Sequence, residues 1–168
     1  MERKYLFLII GVLVVVVAIG SYYEYQNYRI SQIQSFLKES AQHTNIAATY
    51  ANQTVSTALK KDYNGAISLA QKTQEELNNS IELDNQALQY ADGPYKEYIV
   101  YDIMKMNKNY AMEDSNIRLY QAEQKNDVNG EYYANIEIKQ NENDAYDYKN
   151  KRNEIVVADP SLFGFLSN

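Results

Sequence analysis

Apolar residues are arranged along this chain in two ways: one unbroken block near the start, then spaced positions among polar ones. From Tyr5 to Tyr23 no residue is charged and nearly all are apolar, whereas beyond Glu24 apolar side chains recur at steps of three and four. The block lies within the roughly 17–25 residues that carry an α-helix across a ~30 Å hydrocarbon layer, so a transmembrane helix is expected there. The spaced pattern is that of helices burying one stripe. A first run, from about Ser21 to Lys61, sets Ile30, Ile33, Leu37, Ala41, Thr44, Ala48, Ala51, Val55 and Ala58 on one face and predicts a helix that continues the membrane helix.

A second run, Ala66 to Ala91, carries Ile67, Ala70, Leu77, Ile81, Leu88 and Ala91; a third, Tyr95 to Lys125, carries Ile99, Ile103, Met106, Tyr110, Ile117 and Tyr120. The fourth, Glu131 to about Ala158, shares its seam of Ala134, Ile138, Ala145, Tyr148 and Ile155 with polar Asn141 and Arg152. Between the runs stand Asp62-Tyr63-Asn64-Gly65, Asp92-Gly93-Pro94 and Asp127-Val128-Asn129-Gly130. Asn and Gly accept left-handed backbone angles and Pro opens a helix, so Asn64, Gly65, Asn129 and Gly130 are expected at helix-turn tips. The two Asp-x-Asn-Gly tips echo one another 65 residues apart, from Asp62 to Asp127. Two tandem αα-hairpins are expected, either as a duplication or because helix turns reuse the same residues. Short loops between long helices imply antiparallel neighbours. The predicted fold is therefore all-α, an N-terminal transmembrane helix continuing into an antiparallel up-down four-helix bundle with coiled-coil-like seams.

Arg3 and Lys4 before the block favour a cytoplasmic N-terminus, with the rest of the chain outside a cell membrane crossed once. Three segments are expected: a cytoplasmic stub and signal anchor over 1–23, an extracytoplasmic bundle over 24–158 and an apolar C-terminal tail over 159–168. Ala18 and Gly20 are small residues where a signal peptidase reads before Ser21, so cleavage after Gly20 and secretion is the alternative. Tyr22, Tyr23, Tyr25 and Tyr28 follow at once and suit the headgroup level, as a retained helix would use them. Phe163 and Phe165 in the tail are candidates for the same membrane interface, with docking on the base of the bundle as the other option.

The chain has 168 residues, no Cys and a net charge of −6. Without Cys, burial must hold the outer domain together unaided by disulfides, and lipidation at Cys is excluded. An acidic ectodomain repels nucleic acid. The single histidine, His43, leaves zinc and di-iron chemistry short of ligands, so no cofactor and no metal is expected. Glu75, Glu76, Glu82 and Asp84 are candidates for a hard cation but lack the spacing of a calcium loop, and a solvated helical face is the simpler expectation. No phosphate-binding loop or nucleophile motif is present, so no enzyme is expected.

Lys61-Asp62-Tyr63-Asn64-Gly65-Ala66-Ile67 resembles the tip of a tetratricopeptide hairpin over one turn, with Thr54 and Thr57 where that family has Gly and Tyr. The layout of four helices resembles the sensor ectodomains of chemoreceptors, which implies a bundle. About four residues precede the apolar block, so sensing would pass through a partner. The expected function is protein–protein interaction, as scaffold, accessory subunit or partner-assisted sensor. Its expected partners are the lipid bilayer and another membrane or envelope protein, with a homo-oligomer also compatible and nucleic acid disfavoured. A secreted or anchored module holding a small ligand between helices is the alternative. Intact-mass measurement of the membrane fraction should find residues 1–20 retained; a mature chain beginning at Ser21 would refute the anchor.

Overall fold

The computed structural model describes residues 3–167, with side chains from Gly11 to Leu166. All regular structure among them is helical. Four long helices, α1 (Arg3–Ala58), α2 (Tyr63–Leu88), α3 (Gly93–Lys125) and α4 (Val128–Ala158), are followed by a single turn, α5 (Pro160–Phe163), and a 3₁₀ turn, Gly164–Ser167. Helix α1 passes without interruption from the apolar block into the bundle. Among the described residues no helix is long and apolar enough to cross a membrane. The opening part of the block, Tyr5 to Ile10, lies outside the described side chains.

Successive helices are antiparallel neighbours: α1 packs along α2, α2 against α3, and α3 along α4. Among the described residues α1 and α4 do not run along one another. Packing along the helices is thus chiefly between sequence neighbours, an open row in that sense, while Ile33 and Leu37 of α1 also share a core cluster with Tyr95, Tyr98 and Ile99 of α3. Two kinds of seam hold the row. Along α2 the buried positions are Ala66, Ala70, Thr73, Leu77, Ser80, Asp84 and Ala87, an alternation of four and three that keeps one narrow face turned inward. Facing it, α1 buries Ile33, Leu37, Ser40, Ala47 and Thr54. Sequence reading put Ala41, Ala48 and Val55 in this seam, one position off, and those residues are exposed. Hydroxyls occupy the seam because each finds a partner there. Ser40 and Ser80 hydroxyls lie 2.7 Å apart, Thr44 and Ser80 2.9 Å apart, and Thr54 donates to the Tyr50 carbonyl at 2.9 Å. Paired in this way, a buried hydroxyl costs little.

Ion pairs and rings join α3 to α4. Arg152 meets Asp102 at 2.6 Å, Lys108 meets Asp144 at 2.8 Å, Arg118 pairs with Glu137, and Tyr101 stacks on Tyr148. The partner numbers fall along α4 as they rise along α3, which fixes an antiparallel register. The seam on α4 follows the expected positions, but only Ala134 and Ala145 are fully buried.

Asp62 and Asp127 close the turns as N-caps, each accepting the backbone N–H of the glycine three residues on, Gly65 or Gly130, at 3.0 Å. Asn64, Gly65, Asn129 and Gly130 thus lie inside the first turns of α2 and α4, with a right-handed backbone where the sequence suggests a left-handed one. At these two turns the left-handed residues are Lys61 and Asn126, with φ of 63° and 53°. Glycine is needed at 65 and 130 because a Cβ there would collide with the capping carboxylate.

At the opposite end the tail folds back onto the row. Phe163 is buried, with ring centroids 5.2 Å from Tyr95 and 4.9 Å from Tyr98, and the Tyr95 hydroxyl donates to the Leu162 carbonyl at 2.8 Å. Because α4 has one long neighbour and buries two small residues, amides from Asn135 to Asn153 should exchange hydrogen well before those from Ile30 to Val55. Equal protection measured by mass spectrometry would show α4 to be as firmly held as α1.

Candidate functional site

Four ionisable side chains from three helices converge toward the end of the row where the tail docks. Asp84 projects from the α2 seam, Asp102 and Lys105 lie one turn apart on α3, and Arg152 reaches across from α4. One oxygen of Asp102 accepts from both Lys105, at 2.5 Å, and Arg152, at 2.6 Å. The Arg152 guanidinium also lies over the Tyr98 ring, 5.6 Å from its centroid. Burial by itself would raise the Asp102 pKa, but the two cations outweigh it and hold the carboxyl below the usual range. Asp102 is thus an anion shared between two helices. Arg152 is correspondingly held charged, its own burial outweighed by Asp102.

Asp84 has no such help. It is fully buried, and among the described residues neither carboxyl oxygen has a hydrogen-bond partner. Burial first, and then the neighbouring Asp102 charge, push its pKa up to about 7. The Ser40 hydroxyl, Lys105 and Arg152 temper the rise, yet that hydroxyl is bonded to Ser80. Its surroundings thus shift this carboxyl toward the neutral form, so that it changes charge near neutral pH.

Beside this layer, on the side left open between α1 and α4, lies a groove of about 260 Å³. Leu37, Ala41, Thr44 and Asn45 of α1 form one wall. Tyr98, Asp102, Lys105 and Arg152 form the other, and Leu166 of the tail contributes at the end. A third buried acid, Glu113, accepts from Asn116 at 3.2 Å, and burial raises its pKa. Nothing in the central layer forms a nucleophile–base pair. Among the described residues no group of three or more His, Cys, Asp or Glu is placed to hold a metal ion.

No family model, curated protein or solved structure matches this chain. Its site must be read from its own residues. Of those expected at a membrane interface, Tyr22, Tyr23, Tyr25 and Tyr28 are all exposed, whereas Phe163 is buried in the protein core and Phe165 is half-buried against it. The tail thus takes the docked option. Arg29 ties this end together: it donates twice to the Tyr90 carbonyl, at 2.9 and 2.6 Å, and pairs with Asp92 at 2.8 Å. The acids weighed as cation ligands are scattered, with Glu76 bonded to His43 at 2.6 Å, Glu75 and Glu82 exposed and Asp84 buried.

Sequence reading placed Arg152 in its seam but missed Asp84, Asp102 and Lys105 as a cluster. One signal was available. Ala70, Leu77 and Asp84 repeat every seven residues on α2, as Tyr95 and Asp102 do on α3, so both acids continue a buried seam.

For Asp84 the folded pKa lies above the unfolded value of 3.8, so its contribution to stability is complete below pH ~4 and is lost as pH rises through about 7. That gap corresponds to on the order of 4 kcal/mol at 1.36 kcal/mol per unit. Glu113 acts in the same direction, while Asp102 acts oppositely and only at lower pH. Denaturant titrations from pH 4 to 8 should therefore show wild-type stability falling relative to Asp84→Asn as pH rises. A difference between the two proteins that does not vary with pH would refute this account of Asp84.

Proposed function

We propose that this chain is a single-pass, membrane-anchored helical module that works outside the cytoplasm by docking another membrane or envelope protein, without catalysis. The observation that carries this reading is the outer face of α4. Val128, Tyr132, Tyr133, Ile136, Tyr146 and Val157 are exposed along a helix that buries only Ala134 and Ala145. Val128, Tyr132 and Ile136 follow one another at steps of four. This is the stripe an amphipathic helix offers to a second helix. Isolated exposed apolar residues are ordinary on a protein surface, but a run of them on the edge helix of an open row is a docking face.

The anchoring half of the proposal rests on the apolar block and on the exposed tyrosines that follow it. Tyr22, Tyr23, Tyr25 and Tyr28 stand on α1 between the block and the first buried seam residue, Ile33. A phenol has an apolar body and a polar tip, so this stretch suits the membrane boundary. The α2–α3 turn and the docked tail then lie near the membrane, and the Asp62 and Asp127 turns lie away from it. Docking along α4 would be read out through the bundle, as scaffolding, as an accessory subunit or as sensing passed to the partner.

Tyr132→Glu combined with Ile136→Glu tests the docking face. Both positions are exposed, so stability should change by no more than about 0.5 kcal/mol for each change. Affinity purification of the full chain from solubilised membranes should recover a membrane or envelope protein with the wild type and lose it with the double variant. Recovery by both proteins, or by neither, would refute the assignment of α4.

A further inference from the structure

We propose that the groove between α1 and the α3–α4 pair is a binding site for a small carboxylate with a short apolar body. This goes beyond the docking role, since it uses the inner side of α4 and not its outer face.

Charge sets the polar end of the ligand. Lys105 and Arg152 both line the groove, against a single lining carboxylate, Asp102. Asp102 meets the two cations through one shared oxygen, so Lys105 makes one of the three hydrogen bonds its ammonium can donate, and the buried Arg152 Nε has no partner among the described residues. Asp84 stands behind the layer on α2 as a buried carboxyl whose surroundings favour its neutral form. The groove lining thus carries two cations against one anion inside an acidic protein, and Lys105 has donors to spare for an anionic oxygen. A carboxylate supplies that oxygen with charge-assisted hydrogen bonds.

The remaining walls set the rest of the ligand. Leu37 and Leu166 are apolar, and the Tyr98 ring is already covered on one side by the Arg152 guanidinium. Binding sites of this kind combine apolar walls with a few placed polar groups. At about 260 Å³ the groove falls below the roughly 300–1,000 Å³ of pockets for drug-sized ligands. The body is accordingly a single ring or a short branched chain. Because Leu166 belongs to the docked tail, the ligand would also touch the segment that joins α1 to α3 at this end.

The test uses the full chain in lipid nanodiscs, with empty nanodiscs as the control for partitioning. Fluorine NMR with 4-fluorobenzoate, in competition with acetate, butyrate, hexanoate and benzoate, reads binding directly. Saturable binding of the ring or short-chain acids is expected, with 4-fluorobenzamide at least tenfold weaker because it lacks the charge. Lys105→Gln should weaken the acid at least tenfold. Because that change also disturbs a buried ion pair, Ala41→Trp serves as a second variant: Ala41 is exposed on the rim, and the indole should fill the groove and abolish binding without lowering the melting temperature. No saturable binding of any acid, equal binding of the amide, or undiminished binding to Ala41→Trp would each overturn the proposal.

Discussion

Burying an anion between two helices forces the rest of a thin protein to be built around it. Asp102 is held on α3 with little access to water and is stabilised only because Lys105 and Arg152 share one of its oxygens. Removing either cation would leave a buried charge undercompensated, which costs several kcal/mol in proteins generally. Arg152 comes from α4, so the placement of α4 follows from this contact more than from apolar burial. The register between α3 and α4 is then continued by Lys108 with Asp144 and Arg118 with Glu137. Such pairs specify alignment better than they add stability, since exposed ion pairs contribute little.

The α1–α2 hairpin solves the same problem differently. Its seam is built from Ala, Ser and Thr as much as from Leu and Ile, so the helices interlock through small side chains and hydroxyls satisfied within the pair. Asp84 is the exception in that seam. Its unpartnered carboxyl gives the two hairpins an electrostatic link, because the Asp102 charge across the α2–α3 boundary bears on its protonation.

An open row carries consequences for function. In a closed bundle α1 and α4 would pack along one another, whereas here, among the described residues, they do not. The tail partly compensates at one end, where Phe163 fills the space above Tyr95 and Tyr98. Above it the gap between α1 and α4 persists as a groove lined by charge. The exposed aromatic face of α4 and this groove are two surfaces of one incompletely packed element. Low burial and accessibility to partners go together.

Helix number and order followed from the sequence alone, because long runs without Pro, broken at Asp-x-Asn-Gly and Gly-Pro, leave little choice of element. The α4 seam was legible at Ala134 and Ala145, and the α3 seam in part, at Ile99, Met106 and Tyr120 but not at the buried polar Asp102, Lys105, Glu113 and Ser115. The α1 seam was misread by one position because Ala41, Ala48 and Val55 look more apolar than Ser40 and Thr54, and nothing local says that a hydroxyl will find its partner on another helix. Asn64 and Asn129 were read as turn tips because sequence names the residues of a turn, while the capping bonds to Gly65 and Gly130 decide where the helix begins. The pairing of Asp102 with Arg152 and the isolation of Asp84 were decided only by tertiary structure. Whether a carboxyl is charged or neutral depends on what surrounds it in space, and those neighbours come from helices far apart in the chain.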